Sequence, residues 1–169
     1  MPLVLTPADR LDIYELISAC AWALDTADVT GFVACFSSEG ALVWDSFETP
    51  LLWNGHAELR QFIEGLRDLP ESAGRQHFVG NIRIRGEVNG AQASAYVLVT
   101  LREANGTVRT HVAGYYDDDF CVENGAWRIR RRTIRDWCGP VLARFAGQTG
   151  EPVRRKRPAA LDALLRRPT

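Results

Sequence analysis

Three Asn-Gly dipeptides constrain the fold of this chain more than any other feature of its sequence. They lie at positions 89–90, 105–106 and 124–125, and Asn-Gly favours a two-residue hairpin turn because both residues tolerate a positive φ. The sequence therefore predicts an antiparallel meander of four strands. These strands are Gln76–Val88, Ala91–Ala104, Thr107–Glu123 and Ala126–Trp137.

Two of the three histidines, His77 and His111, lie in this meander. If each turn has two residues, Val79 faces Thr100 and Thr100 faces His111, so both histidines emerge on one face of the sheet. They would be two strands apart, about 10 Å at the usual strand spacing, which suits two groups that address one small molecule. The same face carries three candidate substrate-binding residues, Asn81, Tyr96 and Tyr115.

Strict alternation, however, places most of the apolar strand residues on the opposite face, which then predicts the core. These residues are Phe78, Ile82, Ile84, Val97, Val99, Leu101, Val108 and Val112. The histidines would then lie on a solvated side. Two arrangements would change this: a β-bulge that reverses the facing of everything beyond it, or a sheet covered on both faces, by helices over a polar cavity and by a partner subunit. Periodicity alone does not choose between them.

The first helix is predicted from Thr6, a capping residue followed by proline and by the acidic Asp9, to about Ala27. Its apolar stripe is Tyr14, Ile17, Ala21 and Leu24. Asp25 lies four residues after Ala21 and continues this stripe. Such an acid either points to water as a helix-terminal residue or is buried with a partner, since burial without one is costly.

A buried partner for Asp25 would be an imidazole. The carboxylate accepts a hydrogen bond from one ring nitrogen, fixes the tautomer, and leaves the other nitrogen to take a proton from substrate. Histidine supplies such a base near neutral pH without a large change of its ordinary pKa. The candidate catalytic residues are therefore Asp25, His77 and His111.

Between the first helix and the meander, the sequence predicts two helices and a strand. The helices span Gly31–Ser38 and Ala57–Leu69, and the strand spans Ala41–Asp45. Three aromatic residues lie in this region, Trp44, Phe47 and Trp53. They either pack in the core or form an aromatic wall over a pocket for a flat apolar ligand.

Length and charge limit the classes of function. A chain of 169 residues with 46% hydrophobic and 24% charged residues suits one domain with a core. A net charge of −1 gives no bias toward nucleic acid, and no segment resembles a signal peptide or a membrane span. We expect a cytoplasmic protein that binds a small molecule, not nucleic acid or a membrane. The four cysteines lack a metal-ligand spacing and no glycine-rich phosphate-binding loop is present, so we predict neither a metal nor a cofactor.

The end of the chain differs in composition from the rest. Residues 147–169 contain glycine, proline and the basic run Arg154–Arg157, which is typical of a mobile, solvated segment. We therefore predict one domain over residues 1–146 and a basic, mobile tail over residues 147–169.

Five segments resemble the SnoaL-like branch of the nuclear transport factor 2-like superfamily. They are Ala8–Ile17, Ala23–Asp28, Gln76–Asn81, Gly114–Asp117 and Asn124–Ile129. The resemblance extends over about residues 6–137 and depends on the order and spacing of the segments. It implies an α+β cone in which three N-terminal helices pack on a curved antiparallel sheet and enclose a pocket.

The resemblance also implies a chemistry. Members similar to this chain include scytalone dehydratase and hexachlorocyclohexane dehydrochlorinase, which eliminate water or HCl without a cofactor by means of an Asp–His pair. The matching positions are Asp25 and His77, and His111 resembles a second pocket histidine. The expected function is a dehydratase-like lyase that acts on a small cyclic or aromatic biosynthetic substrate. The alternatives are an isomerase or polyketide-type cyclase with the same pair, or a non-catalytic subunit or ligand-binding module such as a ring-hydroxylating dioxygenase β subunit.

Self-association is also expected. Val97, Val99 and Val112 would form an exposed apolar exterior of the sheet, which favours a homodimer or homotrimer.

Overall fold

A computed structural model of the protein describes residues 1–136, 154 and 156–165, and the statements below refer to these residues. Its helices are α1 (Pro7–Thr26), α2 (Val29–Ala34) and α3 (Gly55–Asp68), with short 3₁₀ helices at Pro70–Ser72 and Ala159–Leu165. Its strands are β1 (Phe36–Trp44), β2 (Leu51–Asn54), β3 (Arg75–Glu87), β4 (Gly90–Arg102), β5 (Val108–Glu123) and β6 (Ala126–Asp136).

The N-terminus of α1 has the cap that the sequence predicts. The backbone N–H of Asp9 donates to the Thr6 hydroxyl oxygen at 3.1 Å, and the Asp9 carboxylate accepts from the Thr6 backbone N–H at 2.8 Å and from the Thr6 hydroxyl at 2.6 Å. The indole N–H of Trp127 donates to the same carboxylate at 3.0 Å. The cap therefore links the start of α1 to β6 as well as closing the helix.

These hydrogen bonds make the stability contribution of Asp9 depend on pH. The bonds from the Thr6 hydroxyl, the Thr6 N–H and Trp127 lower the pKa of Asp9 below its usual value. The contribution is therefore present above the pKa of Asp9 in the unfolded chain, about 3.9, and is lost as the pH falls through the lower pKa of the folded state. We expect Asp9→Asn to be less stable than the wild type at pH 7, with the difference shrinking below about pH 4. Urea denaturation at several pH values measures this, and a difference independent of pH would contradict it.

The six strands form one curved, open sheet in the order β2-β1-β6-β5-β4-β3. Strands β3 to β6 form the predicted antiparallel meander, while β1 and β6 are parallel. The parallel pair arises because the chain leaves β1 through β2 and α3, starts again at the far edge with β3, and returns to β1 in β6. The predicted α+β fold with three helices on a curved sheet is confirmed, with one parallel pair that the sequence analysis did not include.

The register of the first hairpin differs from the predicted one. Glu87 pairs with Gly90, so the two loop residues are Val88 and Asn89 instead of Asn89 and Gly90. A β-bulge also lies between Gly80 and Arg83, where Asn81 has a φ of 50°. As a result Val79 faces Val97, not Thr100, and the predicted register is wrong.

The bulge decides which face each part of β3 presents. Before it, Val79 packs against the buried residues of the inner, helix-covered face; beyond it, Ile82 and Ile84 pack against the core on the same side. His77 is two residues before Val79 and so shares its face. The first of the two arrangements considered from the sequence, a bulge that reverses the alternation, is the one observed.

The core lies between this inner face and helices α1 and α3. Its largest buried apolar side chains are Ile13, Ile17, Phe32, Phe36, Leu42, Phe47, Leu59, Ile63, Phe120 and Ile129. Val97 and Val99 are also buried, at 3% and 4% exposure, on the face that strict alternation predicts as the core, and Val112 packs against them. The expectation that these valines form an exposed exterior is therefore wrong. On the outer face of β3 and β4, Phe78, Tyr96 and Leu98 are exposed, and self-association stays a prediction.

Part of the segment predicted as a tail contacts the domain. Leu161 and Leu164 are buried in the core, and the indole N–H of Trp53 donates to the backbone oxygen of Leu164 at 3.2 Å. Arg154 forms an ion pair with Asp45 at 2.5 Å. The predicted boundary at residue 146 lies outside the described residues. No described helix combines the length and hydropathy needed to cross a membrane.

Candidate functional site

Asp25 and His77 are in direct contact. The Asp25 Oδ1 atom lies 2.5 Å from His77 Nδ1, and the Asp25 Oδ2 atom accepts the backbone N–H of His77 at 2.8 Å. Both side chains are largely buried, at 7% exposure for His77 and 17% for Asp25. The carboxylate at the end of the apolar stripe of α1 thus has the partner that its burial requires.

Helix α1 reaches this position because it lies along the free edge of the sheet. Strand β3 is the edge strand, and its outward backbone groups bind side chains of α1. The Tyr14 hydroxyl donates to the Ile82 oxygen at 3.1 Å, and Arg10 donates to the Ile84 oxygen at 3.0 Å. These bonds fix the position of α1 along β3, and so place Asp25 opposite His77.

The contact also fixes the tautomer of the imidazole. An ionised carboxylate only accepts hydrogen bonds, so the His77 nitrogen that faces it, Nδ1, carries the hydrogen. In the neutral ring the other nitrogen, Nε2, then has a free lone pair. The arrangement can therefore accept a proton at Nε2, and the adjacent carboxylate stabilises the imidazolium that forms.

A cavity of about 840 Å³ lies beside this pair, between the C-terminal half of α1 and strands β3, β4 and β5. It is lined by Ser18, Ala21, Trp22, Asp25, Gln76–Asn81, Tyr96–Leu98, Ala113 and Gly114. Consecutive residues of β3 and β4 contribute, so the lining includes residues of both sheet faces next to the free edge. Four of the nine residues singled out from the sequence, Asp25, His77, Asn81 and Tyr96, are brought together here.

His111 and Tyr115 do not belong to this lining. His111 lies where the β4–β5 register shifts, between Thr110, which pairs with Thr100, and Val112, which pairs with Val99. Its side chain is exposed. The bulge adds one residue to β5, so His111 is not aligned with the cavity as predicted. Tyr115 pairs with Tyr96 in the register, and the Arg135 guanidinium lies 5.9 Å from its ring centre.

The three aromatic residues predicted as core or pocket wall pack in the core. Trp44 contacts Phe47 with ring centres 5.3 Å apart, and Trp53 contacts Phe62 at 4.7 Å. Phe47 and Trp53 are 1% and 3% exposed. None of the three lines the cavity, so we leave them out of the site.

The sequence analysis missed the contribution of α1 beyond Asp25. Ser18, Ala21 and Trp22 lie seven, four and three residues before Asp25 and line the cavity with it. This is helical spacing, so the face that carries Asp25 could have been extended toward the N-terminus. Trp22 is 71% exposed, which places a large aromatic side chain at the open side of the cavity.

Ionisable groups surround the pair on the inner face. Burial raises the pKa of the Tyr116 hydroxyl above its usual value. Arg75 is half-buried at the start of β3, and its desolvation lowers its pKa. Below them, the guanidinium of Arg132 makes two hydrogen bonds to the Asp118 carboxylate, at 2.9 and 2.7 Å. Burial alone would lower the pKa of Arg132, but the charge of Asp118 raises it, so this arginine is a permanent cation.

The described part of the chain contains no group of three or more histidine, cysteine, aspartate or glutamate residues arranged to hold a metal ion.

Comparison with known proteins identifies relatives. The sequence profile of the SnoaL-like domain matches residues 6–133. A search of curated proteins finds no match. Among solved structures, a protein of unknown function with a cystatin-like fold from Nostoc punctiforme PCC 73102 is 29% identical, with a TM-score of 0.70, covering 80% of this chain and 96% of its own.

Two other similar structures come from Novosphingobium aromaticivorans DSM 12444. A proposed scytalone dehydratase is 20% identical with a TM-score of 0.63, covering 77% of this chain and 85% of its own. The β subunit of a proposed aromatic-ring-hydroxylating dioxygenase is 22% identical with a TM-score of 0.61, covering 72% and 84%. At these identities the likeness shows a shared fold.

Proposed function

Because the chain belongs to the SnoaL-like domain family, we propose that it is a cofactor-independent lyase that removes water from a small cyclic or aromatic biosynthetic substrate. His77 is the base and Asp25 orients it. The observation that carries this proposal is the 2.5 Å contact between Asp25 and His77 at the wall of a cavity. A largely buried carboxylate that accepts two hydrogen bonds from one histidine is costly to build for stability alone.

The proposed reaction uses one histidine twice. The Nε2 lone pair of His77 removes a proton from the carbon next to a substrate carbonyl, which leaves an enolate. The electron pair then forms a carbon–carbon double bond as the hydroxyl on the adjacent carbon departs. That hydroxyl takes the proton from the imidazolium and leaves as water, so His77 returns to its neutral form. Asp25 stabilises the imidazolium between these steps through the Nδ1 hydrogen bond.

The carbonyl oxygen needs a hydrogen-bond donor as negative charge develops on it. We assign this role to Tyr96 or Asn81, which line the cavity. His111 and Tyr115, considered as donors from the sequence, do not line it and have no assigned role in the step.

The size and lining of the cavity support a small, largely apolar substrate. A volume of about 840 Å³ falls within the range of small-molecule sites. Trp22 and Phe78 supply aromatic surface, and both are exposed toward solvent, at 71% and 57%. A substrate of one or two fused rings would fit a cavity of this volume beside the Asp25–His77 pair.

The proposal is tested with the purified chain and a series of ring-fused β-hydroxy ketones. The expected product lacks one water, which mass spectrometry detects, and its new conjugated double bond raises the ultraviolet absorbance. In D₂O, an isomerase with the same residues would exchange the hydrogen next to the carbonyl without a loss of water. An absence of both elimination and exchange across the series would contradict the assignment of His77 as a base.

The fold shared with a dioxygenase β subunit raises a second candidate, a non-catalytic subunit. A subunit of that kind would bind a larger, metal-bearing chain and would be inactive alone. Turnover by the isolated chain that is lost in a His77 variant excludes this candidate. If the isolated chain is inactive and co-purifies with a metal-bearing protein when expressed in its own organism, the subunit function is favoured instead.

A further inference from the structure

Gly80 is the one described glycine that neither its backbone conformation nor its packing requires. At every other described glycine, either φ is positive, as at Gly125, or an added Cβ atom would collide with a neighbouring atom, as at Gly114 with the backbone oxygen of Arg135. Gly80 has no positive φ, and an added Cβ would meet no atom within 4 Å. The folded protein thus leaves open a space that a side chain could fill.

A glycine within a strand weakens it, and such a glycine often marks a bulge, the close approach of another backbone, or the position of a ligand. The bulge of β3 lies between Gly80 and Arg83, and its residue with a positive φ is Asn81, so the bulge does not require glycine at position 80. No described backbone approaches an added Cβ there. The third reason, a ligand that lies against the bare backbone, agrees with the position of Gly80 in the lining of the cavity.

Gly80 lies among exposed apolar side chains on the outer face of the sheet. It pairs with Tyr96 of β4, and Phe78, two residues before it on β3, pairs with Leu98. Residues opposite each other share a face, so these three side chains surround the bare backbone of Gly80. All three are exposed and line the cavity. The two aromatic rings can contact a flat ring in an offset or edge-to-face arrangement.

The charges of the lining disfavour a charged ligand at this place. The described lining contains neither lysine nor arginine. Its one carboxylate, that of Asp25, already accepts two hydrogen bonds from His77. A charged group on the ligand would therefore lose water without gaining an ionic partner, which is unfavourable.

We propose that Gly80 determines substrate specificity, and that its bare backbone is the base of a subsite for a planar, uncharged ring that contacts Phe78 and Tyr96. His77 emerges on the other face of β3, and the cavity is lined from both faces at this free edge of the sheet. The ring at Gly80 therefore belongs to a part of the substrate away from the reacting carbon. The inference rests on the proposed function for the identity of the ligand as a substrate, whereas binding of the ring itself needs no turnover.

The test uses 2-naphthol, its saturated counterpart decahydro-2-naphthol, and 2-naphthoate. The three probes share a two-ring skeleton, but the second is not planar and the third is charged. Titrations followed by the backbone amide signals in NMR spectra measure the affinities and show which residues respond. We expect the wild type to bind 2-naphthol about tenfold more tightly than either other probe, with the amide signals of Phe78 and Gly80 shifting.

Gly80→Ala and Gly80→Val fill the open space by increasing amounts. We expect the affinity for 2-naphthol to fall by about threefold in the first variant and by about tenfold in the second. Neither variant should be less stable than the wild type in urea denaturation, because the added Cβ meets no neighbour and the substitution restricts the unfolded chain. Ser94→Val enlarges an exposed side chain on the same face of β4, outside the lining, and should keep the wild-type affinity.

Several results would overturn the inference. They are a Gly80→Val variant that binds 2-naphthol as the wild type does, a wild type that binds another probe equally well or binds none, and an equal loss in Ser94→Val. Should Gly80→Val not fold, a Gly80→Ala variant less stable than the wild type would show that the fold itself requires the glycine. If His77→Ala abolishes turnover but Gly80→Val leaves 2-naphthol binding intact, only the present inference fails. If 2-naphthol binding depends on Gly80 while no substrate is turned over, only the proposed function fails.

Discussion

Replacement of His77 by alanine is expected to lower turnover by about 10²–10⁴-fold, because a positioned general base contributes about this much to a proton transfer. The variant should stay folded, since the Asp25 carboxylate can still accept the backbone N–H of residue 77, which is 2.8 Å away. Steady-state kinetics with circular dichroism on the same sample measures both.

Variants of Asp25, the hydrogen-bond partner of His77, test the same assignment independently. Asp25→Asn should lose most of the same activity, because an amide can donate to Nδ1 and so favour the wrong tautomer of His77. The double variant should be little worse than either single variant, as for residues that act as one unit. Asp12→Asn changes the same functional group at an exposed position of the same helix and should leave kcat/KM unchanged. A His77→Ala variant with near-normal turnover would remove the basis of the proposed function.

Replacement of Asp118 by alanine is expected to lower the free energy of unfolding by about 3–5 kcal/mol, the usual loss when one member of a buried ion pair is removed. Asp118 and Arg132 have side chains 2% and 1% exposed. In the variant the Arg132 guanidinium would keep only a 3.2 Å contact to the Cys20 sulfur and its position over the Tyr116 ring, 4.4 Å from the ring centre. Neither compensates for the lost carboxylate, so the folded state holds an unpaired buried charge. Urea denaturation measures the change.

An exposed ion pair supplies the matched comparison. Arg109 and Glu103 are 2.7 Å apart, but their side chains are 51% and 45% exposed. Glu103→Ala should therefore cost no more than about 1 kcal/mol. Replacing both buried partners, as in Asp118→Leu with Arg132→Met, should recover much of the stability lost in Asp118→Ala, since apolar residues of similar volume leave no charge unpaired. Similar losses in Asp118→Ala and Glu103→Ala would show that burial does not set the cost of breaking this pair.

Local patterns were enough to predict the main elements. The Asn-Gly dipeptides predicted the β3–β6 meander, and the cap at Thr6 with the apolar stripe of α1 predicted a helix that ends near Asp25. These features depend on turn geometry and helical spacing, which act over a few residues. The position of Asp25 on the apolar stripe of α1 also indicated that its carboxylate needs a partner. In the structure that partner is His77.

The same patterns failed where one residue changes a register. The bulge at Asn81 reverses the facing of β3, so His77 lies on the same face as the buried Val97 and Val99. A second bulge leaves His111 exposed outside the cavity. Trp44, Phe47 and Trp53 could not be assigned to the core or to a pocket wall, because the sequence does not state which side of β1 and β2 is covered by α3 and by Ala159–Leu165.

The sequence by itself thus predicted three helices and the meander, and named the two residues of the proposed catalytic pair. It placed the second helix at Gly31–Ser38, whereas α2 spans Val29–Ala34 and β1 begins at Phe36. Only the tertiary structure decided which residues line the cavity beside that pair, including Ser18 and Trp22 on α1. The physical reason is that each bulge reverses which residues of a strand face the core, and the position of a bulge depends on the pairing with a strand that is distant in the sequence.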